Sequence, residues 1–127
     1  MNELVNPSSV GAPAAAYSLA VSSTAGSRML HTSGIVATQA DGSIAATVGE
    51  QATAVWSSIA RICEAAGFSL NDVVSYTTYV IVGHDLGAVM AARDAAFAGH
   101  KPASTLIVVP QLARPEWLVE IAAIAAK

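Results

Sequence analysis

One carboxylate stands in an otherwise uncharged, apolar run. Glu120 lies within Leu118-Val119-Glu120-Ile121-Ala122-Ala123-Ile124-Ala125. The β-branched residues there suit a buried strand, and the run is too short to cross a membrane. Taking an ionised carboxylate out of water costs several kcal/mol unless it is paired, so such a group protonates or finds partners. A carboxyl whose pKa is pushed toward working pH is what proton-transfer catalysis needs. The competing assignment is a strand-end or interface glutamate held by a backbone N–H or an arginine.

Other reactive types are scattered more thinly. Ser33-Gly34 places a hydroxyl beside a residue with no side chain, which permits close backbone approach to a ligand. Taken alone, that pair reads as a bulge or strand end. Tyr17 begins an extended segment, where a tyrosine is most often a core residue with its hydroxyl bonded. His31, His84 and His100 lack partners at ligand spacing, so no metal site is expected. His31 falls inside a strand and reads as a core or interface residue, whereas His84 and His100 flank a helix and are expected in solvent. Gly83, Gly87 and Gly99 fit no phosphate loop, and no nucleophile elbow occurs. Trp56 and Trp117 read as packing residues rather than a base-stacking pair.

The elements that must position these groups are legible from periodicity and turn residues. Residues 1–16, rich in Ala, Pro, Ser and Asn, are expected to form an irregular arm. Residues 17–22 and 28–32 read as strands joined by a turn at Ala25-Gly26, and 35–38 as a short extended piece before a turn at Asp41-Gly42. Thr47 and Glu50 have capping-box spacing and open a helix with the stripe Val48, Ala52, Val55, Ile59, Ile62, Cys63 and Ala66. Gly67 ends it. Residues 73–82 form the next strand. Asp85 caps a second helix with the stripe Leu86, Val89, Met90, Arg93 and Phe97, ending at Gly99. Strands at 105–109 and 117–125 flank a loop at 110–115. The order βββ-α-β-α-ββ describes one α+β domain over residues 1–127, with two helices against one mixed sheet.

Composition narrows the function. Apolar residues make up 54% of the 127 and charged residues only 12%, about half the usual share. So few charges cover a monomer poorly, which favours an oligomer that buries part of its surface. The net charge is −3 and the six Lys and Arg form no basic stripe, which disfavours a nucleic-acid partner. A single cysteine, Cys63, excludes an intrachain disulfide and fits a reducing cytoplasm. It lies on the first helix's apolar stripe and is expected to be an inert core thiol. No secretory signal and no transmembrane helix is recognised, so a soluble cytoplasmic protein without a membrane partner is expected.

Several short blocks fall in a particular order: Tyr17-Ser18, Thr32-Ser33-Gly34, Glu64-Ala65-Ala66-Gly67, Asp72-Val73-Val74, Pro102-Ala103 and Glu120-Ile121-Ala122-Ala123-Ile124-Ala125. Together they resemble the RidA/YjgF family of reactive-intermediate deaminases, also called endoribonuclease L-PSP or translation-inhibitor proteins, from about Tyr17 to the C-terminus. The resemblance implies a chorismate-mutase-like fold assembled as a homotrimer, with three small-molecule clefts between adjacent subunits. It also implies hydrolysis of enamines and imines, such as 2-aminoacrylate, to a keto acid and ammonia without a cofactor. Glu120 would then activate water or protonate the enamine carbon. Tyr17 and Ser33 would orient the substrate beside Gly34, and backbone N–H groups near Leu106 would stabilise developing charge.

The chain departs from the family pattern at four cleft positions. Ser104 stands where an arginine grips the substrate carboxylate, Ile35 where a glutamine follows Ser-Gly, Met90 where the helix carries asparagine, and Leu106 where a cysteine is frequent. Losing a buried charged contact costs about 2–5 kcal/mol of binding. A substrate other than 2-aminoacrylate is therefore expected. Arg93, three residues after Met90 on the same helix face, is a candidate replacement cation; its alternative is an interface or ion-paired arginine. Two other functions compete with hydrolysis: a non-catalytic, ligand-binding or chaperone-like trimer, and RNA cleavage, which the absent basic groove disfavours.

Overall fold

The computed structural model describes residues 2–127. Strands β1 (Glu3–Val5), β2 (Ala20–Ser22) and β3 (Met29–His31) precede helix α1 (Val48–Ala65). Strand β4 (Val73–Ile81), helix α2 (Leu86–Phe97), β5 (Ala103–Val109) and β6 (Val119–Ala126) follow. The main sheet runs β3-β6-β4-β5, with β4 and β5 parallel and the other pairs antiparallel. It is the expected α+β arrangement of a mixed sheet with two helices on one face.

Side-chain alternation decides which face the helices cover. In β4, Tyr76, Thr78 and Val80 are buried while Ser75, Thr77, Tyr79 and Ile81 are half-buried. In β6, Val119, Ile121, Ala123 and Ala125 are buried while Glu120, Ala122 and Ile124 are half-buried. The buried sets join Val55, Trp56 and Ile59 of α1 and Val89 and Phe97 of α2 in one core. The half-buried sets form the sheet's open face.

Helix α1 starts at Thr47, whose hydroxyl accepts from Glu50 N at 3.3 Å; the return bond of a full capping box is absent among the described residues. It ends at Ala66, followed by Gly67 at φ +78°, a conformation glycine adopts without penalty. Asp85 caps α2 by accepting from Ala88 N at 3.2 Å. Gln51, only 1% exposed and outside the expected stripe, points into the core and ties three strands of chain together. Its amide donates to Ala45 O and Glu116 O, and its carbonyl accepts from Leu118 N, each at 2.9 Å. Those bonds fix the entry of β6, two residues before Glu120.

Three expectations need correction. The N-terminal arm is not irregular throughout: β1 pairs antiparallel with β2. The turn at Ala25-Gly26 forms, with Gly26 at φ +84°, but the strands beside it part, β2 toward β1 and β3 toward β6. Register with distant partners overrides the short connection. Finally, His100 is not free in solvent; it is half-buried, its Nε2 lying 2.8 Å from Val73 O. Among the described residues, no helix is long and apolar enough to cross a membrane.

Candidate functional site

Glu120 occupies the open face of the sheet, directly across from Tyr79 on β4. The strand carrying it is apolar because its alternate residues feed the core, while Glu120 itself points the other way. Beside it runs the segment after β3. Thr32 N donates to Ala123 O at 2.9 Å and Ala123 N donates to Thr32 Oγ1 at 2.9 Å. Ile35 and Ile121 exchange a pair of backbone bonds at 2.8 and 3.0 Å. Ser33-Gly34 arches between these two anchor points, both residues exposed.

The reason for a glycine at 34 is then concrete. A Cβ there would stand 2.8 Å from Cδ and 3.1 Å from Cγ of Glu120 and would overlap its Oε2. Gly34 leaves room for the carboxylate itself. Ile35, in contrast, packs against the core. Tyr17 lies elsewhere. Its neighbour Ser18 bridges Ala103 at the start of β5, with Ser18 N donating to Pro102 O at 3.0 Å and its hydroxyl to Lys101 O. Register aligns Ala103 with Ser75, four residues along β4 from Tyr79, so within one chain Tyr17 and Glu120 occupy separate parts of the sheet, more than about 10 Å apart.

The remaining candidates meet on the opposite face. Met90 and Arg93 of α2, Ser104 and Leu106 of β5, Tyr76 and Thr78 of β4, and Trp56 of α1 line one narrow cleft. The parallel register pairs Tyr76 with Ser104 and Thr78 with Leu106, which turns all four side chains toward α2. Arg93 is 7% exposed, and its Nε donates to Asp94 Oδ1 at 2.9 Å. The Tyr76 hydroxyl and Trp56 Nε1 are both buried without a hydrogen-bond partner. Burial pushes the Tyr76 hydroxyl above the ordinary tyrosine range, and hydrogen bonding toward Ser104, with the charge and side chain of Arg93, partly opposes that shift although none of these contacts reaches full hydrogen-bond geometry.

The structure thus divides the sequence-derived site. Glu120 and Gly34, with Ser33 beside them, lie on the open face. Met90, Arg93, Ser104 and Leu106 share the helix-side cleft, and Arg93 there is ion-paired with Asp94, the alternative to a replacement cation. Tyr79, Tyr76, Thr78 and Trp56 were not among the expected site residues, because only the strand register reveals their neighbours. Among the described residues, no cluster of three or more His, Cys, Asp or Glu is placed to hold a metal. Burial, with a smaller contribution from the Asp72 charge, pushes the Cys63 thiol up, as suits an unreactive core group.

A family model described as endoribonuclease L-PSP matches residues 8–127. The chain belongs to this family, that of the Rid (RidA/YjgF) proteins. A Rid-family protein from Yersinia pestis, YyfB, shares the fold with a TM-score of 0.89 at 33% identity, over 99% of this chain and 98% of that one. The structure of Escherichia coli TdcF with bound serine is similar with a TM-score of 0.74 at 27% identity, over 96% and 93% of the two chains. A RutC family protein of Pyrococcus horikoshii is 36% identical over 80 residues, a stretch that spans 63% of each chain. Like these Rid structures, the chain sets two helices on one face of a mixed sheet.

Proposed function

We propose that this Rid-family protein hydrolyses an enamine or imine in a cleft completed between copies of the chain, on a substrate other than 2-aminoacrylate. The observation that carries the reading is the separation of acid and cleft: Glu120 and the Ser104–Arg93 cleft occupy opposite faces of one sheet. A second copy, docking its open face against the β5 edge of the first, would bring a carboxylate to the cleft. That edge exposes Leu106, Ile107 and Val108, at 37%, 41% and 47%, an apolar surface in need of cover. A homotrimer closes three such contacts with no open edge left.

In the reaction, Glu120 takes a proton from water as the water oxygen bonds the C=N carbon and passes it to the imine nitrogen, giving a carbinolamine; the C–N bond then breaks as the hydroxyl proton moves, again through Glu120, to that nitrogen, which leaves as ammonia while the carbonyl forms. No cofactor is required. A ligand of amino-acid size is supported by TdcF, which holds serine. Met90 and Leu106 favour a substrate with an apolar body. Ser104, with neither the charge nor the fork of an arginine, supports the second reading, a trimer of the same family that binds without turnover.

The decisive experiment is ammonia release from a panel of freshly generated imines, with light scattering for the assembly state. Glu120→Gln should lower turnover by about 10²–10⁴-fold with the assembly unchanged. Binding without turnover across the panel would favour the non-catalytic trimer, and a monomer in solution would end both readings.

A further inference from the structure

The open face of the sheet sets an aromatic ring beside an unpaired carboxylate. Tyr79 and Glu120 are directly cross-strand, both half-buried and both on the side away from the helices. Side chains so placed stand about 4.5–5.5 Å apart at Cβ, close enough to touch one ligand together. Among the described residues, no side-chain hydrogen bond or ion pair engages Glu120, and Gly34 leaves space at the end of its side chain. The next cross-strand pairs along that face, Ile81 with Leu118 and Thr77 with Ala122, carry no charge, and Ile107 of β5 lies beside Tyr79. A carboxylate without a cation, next to an aromatic face in apolar surroundings, is complementary to a positively charged nitrogen.

The helix-side cleft offers no free charge of the other sign. Arg93 Nε donates to Asp94 Oδ1 at 2.9 Å, and the Tyr76 hydroxyl reaches toward both Arg93 and Ser104. What remains open among these groups is about 10 Å³, room for no more than one water. An acid head group entering there would have to compete with Asp94 for the guanidinium.

We propose that the ligand carries its charge on nitrogen, as an iminium or ammonium without a carboxylate, paired with Glu120 and covered by the Tyr79 ring. The proposal rests on the hydrolytic reading above for the reaction and adds the charge class of its substrate. Hydrolysis of an iminium makes the water oxygen the carbonyl oxygen, sends both water protons to nitrogen, and breaks the C=N bond as ammonium leaves. Substrate and product each hold one positive charge on that nitrogen, so the same pair binds both. The body of the ligand is apolar, to match Ile81, Ile107 and Leu118. Tyr79 is thereby a specificity-determining residue.

Calorimetric titration of the full-length protein with isopentylamine, isopentyl alcohol and isovalerate, three probes of nearly equal size, tests this. The amine should bind at least about 10-fold more tightly than the alcohol, and the acid more weakly than the alcohol. Glu120→Gln should erase the difference between amine and alcohol. Tyr79→Leu should weaken amine binding about 3- to 10-fold and leave the alcohol unchanged, whereas Tyr79→Phe, which keeps the aromatic face, should lose less than about twofold. Should a variant fail to fold, the ranking of the three probes on the natural protein decides. Acid bound as tightly as amine, absence of amine binding, or a Glu120→Gln or Tyr79→Leu protein with undiminished preference for the amine overturns the proposal. Amine selectivity without turnover of any imine upholds it and removes the hydrolytic reading; turnover confined to carboxylated imines does the reverse.

Discussion

Replacing Tyr76 by phenylalanine should stabilise the protein. The ring is 4% exposed and packs edge-on against Trp56 at 5.1 Å and against Phe97 at 5.3 Å, contacts that phenylalanine keeps. What is lost is a buried hydroxyl that reaches Ser104 and Arg93 without full hydrogen-bond geometry. Leaving such a group unsatisfied costs about 1–3 kcal/mol. The void left by one oxygen, of order 10–15 Å³, returns only about 0.3 kcal/mol of that. The net gain is about 1–2 kcal/mol, or about 4–8 °C in Tm for a chain of this length. Urea unfolding at fixed protein concentration measures it, as a higher midpoint with the slope unchanged.

The same substitution has a pH signature. Burial raises the Tyr76 pKa in the folded state, so above about pH 10 the unfolded chain loses this proton while the folded chain keeps it. Stability contributed by the neutral hydroxyl is complete below that pH and is lost as pH climbs through the folded value. Tyr76→Phe lacks this component, so its advantage over the natural protein should widen from about pH 10 upward. A variant that is instead destabilised by about 1 kcal/mol or more would show that the hydroxyl is well bonded to Ser104 or Arg93, and the reasoning would fail.

Two further substitutions probe the positioning of Glu120. Gly34→Ala places a methyl group against the end of the Glu120 side chain, which can swing aside; stability should change by less than about 1 kcal/mol while imine hydrolysis falls at least about 10²-fold, measured by unfolding and by ammonia release. Gln51→Leu removes three buried hydrogen bonds that hold the entry of β6. It should cost about 2–4 kcal/mol in urea unfolding; an unchanged midpoint would mean that solvent reaches those backbone groups.

Much of the frame is legible in the sequence itself. The apolar stripe from Val48 to Cys63, bounded by Thr47 and Gly67, specifies α1, and Asp85 opens α2 where expected, because caps and periodicity are local properties. The strands at β4, β5 and β6 follow from β-branched runs, with ends shifted by about two residues. Partnering was not legible: β1 lay in a stretch read as irregular, and the segments flanking Gly26 pair with strands far away in sequence. The buried Gln51 is not legible in the sequence, because a glutamine on a helix flank reads as solvent-facing until its three partners are in place.

The candidate site divides along the same line. Residue type alone singles out Glu120, Gly34 and Arg93, since a carboxylate in an apolar run, a glycine after a strand and a cation on an apolar stripe are chemical contrasts visible in one dimension, whereas Ser104 enters only through the family resemblance. Faces were settled only by the folded chain. A strand exposes neighbours on opposite sides, so a register shift of one residue would exchange Glu120 with Ile121 and Ser104 with Thr105. Tertiary packing alone put the carboxylate against Gly34 on one side, and the guanidinium beside Tyr76 on the other.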